Sequence, residues 1–596
     1  MANPPGDTAS CIYPLAFHSA RAQRGTEAYL RDDAARTLLQ FFQTKGLAAI
    51  KEEDRRELWY ADWIKFQAKE GLYAKVLSPA AFSTRGTFFD LLRYARFLEV
   101  FASCSPAHGY SLQVTFLGLF AVLMGTNEAL KREAVARLEA GELLAFAVSE
   151  QAHGSDLMAN EFRFTPLPSP AGAAPGPRPL EAGGTKHYIG NSNVASIIAT
   201  LGRMDAAGDP LLAARLGRVP FVLAALRPAR GTAAWSEQKI HTLGVRAAHV
   251  GAFEVKQHLL TDADVIAQGR AAWDAVFGTV TLGKFFLGFG SIGICERALA
   301  EASTHLCQRI LYGKPAIEME HLQHMMAEAY ARLLAMKLYA YRTLDYVHAA
   351  SAEDRRYQLF CAVQKAKIST EGVKVMELIS QCIGARGFEG DTFCEMALRD
   401  APLIPGLEGS MHINLLLALQ FLPRYFERAA PVTTVPSVVG GEVASRENPY
   451  LMTARTGATH SIRFHWFLQP YRAFRAQPNV VLFARQAACF RRFVKALGGR
   501  ADRTDLRASV ALGKCMATLA YAQLIAENAA RLALPEALVG CLFALQVNDM
   551  NHAAMELSAT GVMDERWTKK MIKVPRHSDT GWTQVAQAVR ALGSQA

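Results

Sequence analysis

The stretch Arg399-Asp400-Ala401-Pro402-Leu403-Ile404-Pro405-Gly406-Leu407-Glu408-Gly409-Ser410-Met411-His412 decides how the rest of the chain is read. It opens polar, runs apolar through Leu403, Ile404 and Leu407, and sets one carboxylate, Glu408, directly before a glycine. Ile413, Leu415, Leu416, Leu417, Leu419 and Leu422 follow with no polar stripe before Arg424, which predicts a helix. Glu408 is therefore expected at the end of a loop, beside a helix start, among apolar neighbours. Burial of that kind disfavours the charged form and raises a carboxyl pKa toward the range of a general base. Gly409 lets a ligand approach the backbone closely. The competing reading is a carboxylate that answers a helix macrodipole. Arg399 and Asp400 read as a structural, surface-facing pair.

Around this stretch lie 596 residues, too many for one core and enough for three or four domains. With 51% hydrophobic and 20% charged residues the composition is globular, but the net charge of +11 favours an anionic partner. A phosphorylated cofactor, an acidic carrier protein, a membrane surface and nucleic acid all qualify. The cysteines are scattered with no C-x-x-C pair, so neither a zinc site nor a redox pair is expected, and no metal. Met1-Ala2-Asn3-Pro4-Pro5-Gly6-Asp7 has no basic or apolar leader character. The apolar segments are interrupted, one closed by Thr126-Asn127 and another holding Lys284, so no bilayer span is expected and the default location is the cytoplasm.

The fold class reads as mainly α with a β insert, in the order N-terminal helical domain (1–145), β-barrel domain (146–264), four-helix bundle (265–428), linker (429–449) and extra C-terminal helical domain (450–596). Asp32 to Phe42 and Phe88 to Phe101 have helical apolar spacing, and Tyr110 to Met124 reads as a buried helix. Phe146-Ala147-Val148, Ile197 to Thr200, Phe221 to Ala225 and Ala252 to Val255 read as short strands. Pro166, Pro168, Pro170, Pro175, Pro177 and Pro179 mark one connection as a loop. Helical runs over about 273–312, 318–350, 354–384 and 409–427 give the bundle.

Two motifs are decoys. Gly288-Phe289-Gly290-Ser291-Ile292-Gly293 matches a dinucleotide fingerprint, but helix follows helix with no alternating strands, so these glycines read as small packing residues. His321 and His324 with Glu320 and Glu328 read as a polar helix face, since no complete ligand set accompanies them. No G-x-S-x-G elbow occurs, which leaves a serine hydrolase without support.

Six segments stand in a fixed order: Leu144 to Asp156 (with Phe146, Val148, Ser149 and Ser155), Gly184 to Ser192 (with Tyr188-Ile189-Gly190), Leu243-Gly244-Val245-Arg246, Arg309 to Lys314, Gln381 to Phe388, and the Glu408 stretch. In order and spacing they resemble the acyl-CoA dehydrogenase and oxidase superfamily of flavoproteins, in its long form with an extra C-terminal helical domain, over about residues 85–427. That resemblance implies FAD between the β domain and the bundle. It places Phe146, Val148 and Ser149 at the flavin edge, with the Ser149 hydroxyl donating toward the ring. Tyr188, Ile189 and Gly190 match the run beside the ring, where the family usually has Trp first and Thr or Ser third. Arg309 and Tyr312 match residues that reach the pyrophosphate and adenine of a neighbouring subunit's FAD, and Gln381, Gly384 and Ala385 the loop that closes over that end. Glu320 stands where the family often has a cofactor-bonding Gln. Ser410 and His412 fall to the cofactor as well, Ser155 to the cofactor pyrophosphate or the substrate pantetheine, and Arg246, Leu407 and Gly409 to the substrate. A homodimer is implied.

By the same resemblance Glu408 is the catalytic base. It takes the α-proton of a saturated acyl thioester while flavin N5 accepts the β-hydride, with the thioester oxygen polarised by the Glu408 N–H and a ribityl hydroxyl. The acyl group rides on CoA or on an acyl carrier protein, and the electrons pass to an electron-transfer partner or to O2, as in acyl-CoA oxidases. The alternative is a flavoprotein of this fold that binds nucleic acid.

The excess charge concentrates in residues 451–507, where eleven Arg and Lys face Asp502 and Asp505, roughly +9. Phe464, Trp466, Phe467, Tyr471, Phe474, Phe483, Phe490 and Phe493 interleave with them. An amphipathic domain with an arginine face accounts for this pattern. Docking of an acidic carrier protein, an anionic membrane or nucleic acid are the functional readings.

Overall fold

The computed structural model of the chain describes residues 32–168, 179–205, 214, 219–427, 433–453, 461–498 and 505–593. Among the described residues six helices come first: α1 (Asp33–Arg56, broken at Gly46), α2 (Ala61–Glu70), α3 (Leu72–Leu77), α4 (Leu91–Cys104), α5 (Pro106–Leu123) and α6 (Glu128–Glu139). Asp32, Asp90 and Asn127 cap α1, α4 and α6 by accepting from the first-turn amides. α5 is buried on nearly every side, as its unbroken apolar run requires.

Among the described residues eight strands follow: β1 (Leu144–Ala147), β2 (Arg163–Pro166), β3 (Leu180–Gly190), β4 (Ile197–Met204), β5 (Phe221–Leu226), β6 (Trp235–Lys239), β7 (Val250–Leu260) and β8 (Val265–Gln268). They form one sheet in the order β6-β7-β3-β2-β4-β5-β8, with β1 also pairing β4. The expected barrel is corrected here: the described strands form no closed barrel, because β6 and β8 each pair on one side only. Both edges are short, and β6 alternates Ser236 and Gln238 outward, which an unpaired edge tolerates. The sheet nonetheless buries both faces. Ile197, Ala199, Leu201, Leu223 and Ala225 join the helical core, while Ile198, Val222, Ala224, Phe253 and Val255 enclose a second core with Phe162, Phe164 and Trp235. Of the proline-marked connection, Pro170, Pro175 and Pro177 lie outside the described residues.

The bundle opens with α7 (Gly269–Gln308), a helix of 40 residues. It ends earlier than the spacing predicts because Arg309 turns into the hairpin of β9 (Ile310–Leu311) and β10 (Lys314–Pro315). Tyr312 and Gly313, at φ +50° and +80°, form its two-residue turn. Then come α8 (Glu320–His348), α9 (Tyr357–Val363), a π-helical turn over Gln364–Ile368, α10 (Ser369–Ile383) and α11 (Phe393–Asp400). The run expected over 409–427 divides at Pro423 into α12 (Met411–Leu419) and α13 (Leu422–Tyr425). Two of the three fingerprint glycines pack: a Cβ on Gly288 would meet the Gln364 side chain at 2.7 Å, and one on Gly293 would lie 2.0 Å from the Glu99 carbonyl oxygen, while Gly290 faces open space.

The C-terminal helices are α14 (Pro478–Leu497), α15 (Leu506–Arg531), α16 (Glu536–Ala559), α17 (Glu565–Met571) and α18 (Asp579–Gly593). They share the bundle's core. Asn528 donates to the Leu338 carbonyl at 2.8 Å, and Glu371 and Asp549 join Arg332 and Lys367 across α8, α10 and α16. Residues 433–449, read as a connection, are pinned along α8: Asp345 accepts from the Val438 N–H at 2.8 Å and Arg342 donates to the Val435 carbonyl. Residues 430–432 lie outside the described part. α7 and α15 are long and apolar enough to cross a membrane, and both bury most of that stretch inside the fold.

Of the basic region, Arg455, Arg500, Asp502 and Arg503 lie outside the described residues. The rest separates by face. Phe464, Phe467, Tyr471, Phe474, Phe483, Phe490 and Phe493 are core, while Arg463, Arg472, Arg475, Arg485, Arg492 and Lys495 are exposed. Arg491 lies over the Trp466 ring at 4.8 Å. The aromatics are thus committed to packing, and the outward face offers charge alone.

Candidate active site

Glu408 follows a 3-10 turn, Ala401–Gly406, and precedes α12. It is not the helix cap: Ser410 holds that place and accepts from the Ile413 N–H. The capping role thus falls to Ser410. Glu408 and Gly409 take φ +52° and +80°, two successive left-handed residues. For a residue with a Cβ this costs about 1–2 kcal/mol, and such strain persists where surrounding contacts fix it.

Those contacts come from α5, α7, α12 and the π-helical turn. The carboxylate lies against Gly283 of α7, where a Cβ would be 3.4 Å from Oε2. Gln113 of α5 donates to the Gly283 carbonyl at 3.0 Å. Lys284 donates to Asn414 Oδ1 at 2.9 Å, and Asn414 Nδ2 donates to the carbonyls of Gly409 and Ser410 at 2.9 and 3.0 Å. Lys365, in the π-helical turn, donates to the Ile404 carbonyl. Burial pushes the Glu408 carboxyl up to about 7, although the ammonium groups of Lys284 and Lys365 pull it down. The Glu408 N–H finds no acceptor among the described residues.

Asp400 corrects the surface-facing reading. It is buried, its carboxyl pushed up to about 7 by that burial, and it accepts from the Val245 N–H at 2.6 Å. Arg399 pairs instead with Asp54 and Glu395. Asp400 thereby ties the Leu243 to Arg246 loop to the stretch that carries Glu408. Arg246 sits half-buried there, its Nε donating to the Leu243 carbonyl at 3.1 Å.

On the sheet side Phe146 and Ile189 are buried, Val148 is half-buried and Ser155 is exposed. A bulge between His187 and Ile189 gives Tyr188 a φ of +65° and leaves it 56% exposed. Bulges re-aim side chains in this way. The Ser149 hydroxyl is a correction: it donates to the His187 carbonyl at 2.7 Å rather than outward. The absence of a side chain at Gly190 has a cause that the sequence did not disclose. A Cβ there would lie 2.5 Å from Val114 and 2.7 Å from the Tyr110 ring. Gly190→Thr is expected to destabilise the fold by about 1–3 kcal/mol through overpacking against Val114 and Tyr110, read as a lower midpoint in urea unfolding.

At the far end of α7, Arg309 is exposed, with no carboxylate at ion-pair distance among the described residues. Its guanidinium lies 3.9 Å from a Cβ built on Gly384. Tyr312 is 97% exposed and Phe388 79%, while Gln381 and Ala385 are also on the surface. Glu320 opens α8 as an exposed first-turn carboxylate, a place that answers the helix N-terminus. His412 is exposed beside a cleft of about 730 Å³ lined by Ile413, Leu416, Leu506 and Val510, which Glu408 does not line. Leu407 and Gly409 flank the base, half-buried.

A family profile described as "Acyl-CoA dehydrogenase, C-terminal domain" matches residues 273–422, from α7 to α13. The cyclohex-1-ene-1-carbonyl-CoA dehydrogenase of Syntrophus aciditrophicus is 24% identical over 338 residues, 56% of this chain and 76% of that protein. By this profile and this relative the chain is similar to the acyl-CoA dehydrogenase superfamily. Solved structures share its fold: an acyl-CoA dehydrogenase complexed with FAD from Bacillus anthracis has a TM-score of 0.68 at 16% identity, covering 94% of this chain and 93% of that one. A prolyl acyl carrier protein oxidase superposes with a TM-score of 0.56 at 19% identity, over 65% of this chain and 97% of that one. The first of these extends the likeness through the C-terminal helices.

FAD is the cofactor this superfamily implies, and the donor set fits it. A guanidinium left over beside a glycine at φ +59° suits a pyrophosphate. Phe146, Val148 and Ile189 offer an apolar wall beside an outward-turned Tyr188. Lys284, Lys365, Tyr110, Asn414 and Asp400 are the site residues that motif reading missed. Lys284 alone left a signal, a cation inside the apolar run from Leu282 to Phe289.

Proposed function

We propose that this chain oxidises a saturated acyl thioester to its α,β-enoyl form, with Glu408 as the base. The observation that carries the reading is the placement of the Glu408 carboxylate, in a left-handed loop against Gly283 that Lys284 and Lys365 brace through Asn414 and the Ile404 carbonyl. Above its pKa, about 7, the group is a carboxylate able to take the α-proton, and below it the group is already protonated. The Glu408 N–H donates to the thioester oxygen, where negative charge builds as that proton leaves. Bound FAD supplies the acceptor for the β-hydride. Phe146, Val148, Tyr188 and Ile189 form the wall for the ring, and the Arg246 loop, fixed by Asp400, borders the substrate side.

The reading includes a homodimer. Arg309, Tyr312, Gln381, Gly384, Ala385 and Phe388 gather at an exposed end of α7, where a second copy's cofactor gives the guanidinium its anion. The test is an anaerobic titration of the yellow protein with saturated acyl-CoAs of graded length and with acyl carrier proteins. Bleaching of the flavin band by one class supports the reading and names the carrier. A protein that no thioester bleaches overturns it.

A further inference from the structure

We propose that Lys284 and Lys365 are positioning residues for Glu408, two buried ammonium groups from separate elements that brace its loop from both ends and favour its charged form. The inference rests on the reading of Glu408 as the base.

The geometry is bilateral. Lys284, on α7, reaches the far side of the loop through Asn414, whose amide holds the Gly409 and Ser410 carbonyls. Lys365, on the π-helical turn, reaches the near side at the Ile404 carbonyl. Insertion of an extra residue into a helix, the feature that makes a π turn, is often kept where a side chain must be aimed at a site. Both lysines are buried, and neither has a carboxylate within ion-pair distance among the described residues. A buried ammonium without a counter-charge is costly. The one carboxylate that acts on both is Glu408.

The charged and titratable groups around that carboxylate are few. α5 presents the Tyr110 phenol, held neutral by burial and by Glu408 itself. α7 presents Lys284, which burial lowers to about 8, and the π turn presents Lys365, lowered to about 7. Cys361 of α9 faces Lys284, and its burial raises the thiol. The two ammonium groups thus set the sign of the local field. An opposite charge favours ionisation of a carboxyl, so removing either lysine raises the Glu408 pKa.

The test compares K284M, K365M, K284R and N414A with the wild type and E408Q. Two readouts are taken. One is the pH profile of anaerobic flavin reduction by the thioester. The other is the titration of the Glu408 carboxyl in the resting holoprotein, by infrared difference against E408Q. K284M and K365M are each expected to move the acid limb and the carboxyl titration up by about one unit or more. Below the limb each unit costs about tenfold in kcat, with KM little changed. K284R keeps the limb in place. N414A cuts the bridge, leaves both charges, and lowers kcat without moving the limb. A limb and a titration that stay put in folded K284M overturn the proposal, and K284M alone decides should K365M fail to fold. Should E408Q keep its full rate, the base reading fails, and the infrared titration still decides whether the lysines hold the carboxylate.

Discussion

Glu408→Gln is expected to lower anaerobic flavin reduction by a saturated acyl thioester by about 10²–10⁴-fold, while the protein stays folded and yellow. Gln keeps the volume and a hydrogen-bonding end but takes no proton. Flavin content is the control. Glu408→Asp keeps the carboxylate and withdraws it by one methylene from a position set by Gly283. A misplacement of about 1 Å costs on the order of 10²-fold. Stopped-flow bleaching of the flavin band reads both variants, and a Gln variant within tenfold of wild type would sink the assignment of the base.

The same carboxyl gives the pH dependence its sign. Burial lifts it from 4.5 to about 7 in the fold. The rate therefore rises through pH 7 and levels above it. Stability runs the other way. Between 4.5 and 7 the folded state keeps a proton that the unfolded chain releases, so this group's contribution to stability falls as pH rises across that window. Glu408→Gln removes that slope. The site is thus held against a local cost, as is the left-handed backbone beneath it.

How much of this was readable follows from where the information lies. The helices and strands were legible because their apolar spacing is local: Tyr110 to Met124 reads as buried, and α5 is buried. The place of Glu408 at the end of a loop before a helix was legible because an acid before a glycine, after an apolar loop, is a local pattern. What failed depended on partners distant in the chain. Whether a sheet closes is decided by its two edges, β6 and β8, and neither one's sequence states what it lacks. Ser149 was read as facing a ligand, but its acceptor, His187, lies on another strand. Gly190 reads as a lost hydroxyl until Tyr110 is seen filling the space. Lys365 sits in an ordinary helical pattern, and the π turn that aims it leaves no periodic mark.

Lys337→Met is expected to cost the helical core about 3–5 kcal/mol, the range for removing one partner of a buried ion pair. Lys337 of α8 pairs with Glu99 of α4 and Glu296 of α7, and Tyr341 donates to Glu99 at 2.7 Å. All three charged side chains are fully buried. Burial, and then the neighbouring Glu99 charge, raise the Glu296 carboxyl well above its usual range. The two carboxyls outweigh burial and hold the Lys337 ammonium above its own. Methionine fills the space of the lysine stem and leaves the two acids facing each other without it. The close approach of α4 and α7 at Gly293 gives them little room to separate. Because α7 also carries Gly283 and Lys284, flavin retention should fall along with the urea midpoint. Replacing all three groups, as Glu99→Gln, Glu296→Gln and Lys337→Met, removes the charges together and should recover most of the loss, since neutral packing of a former ion cluster is often no less stable. A Lys337→Met protein that unfolds at the wild-type urea concentration would show that the two acids find other compensation in the core.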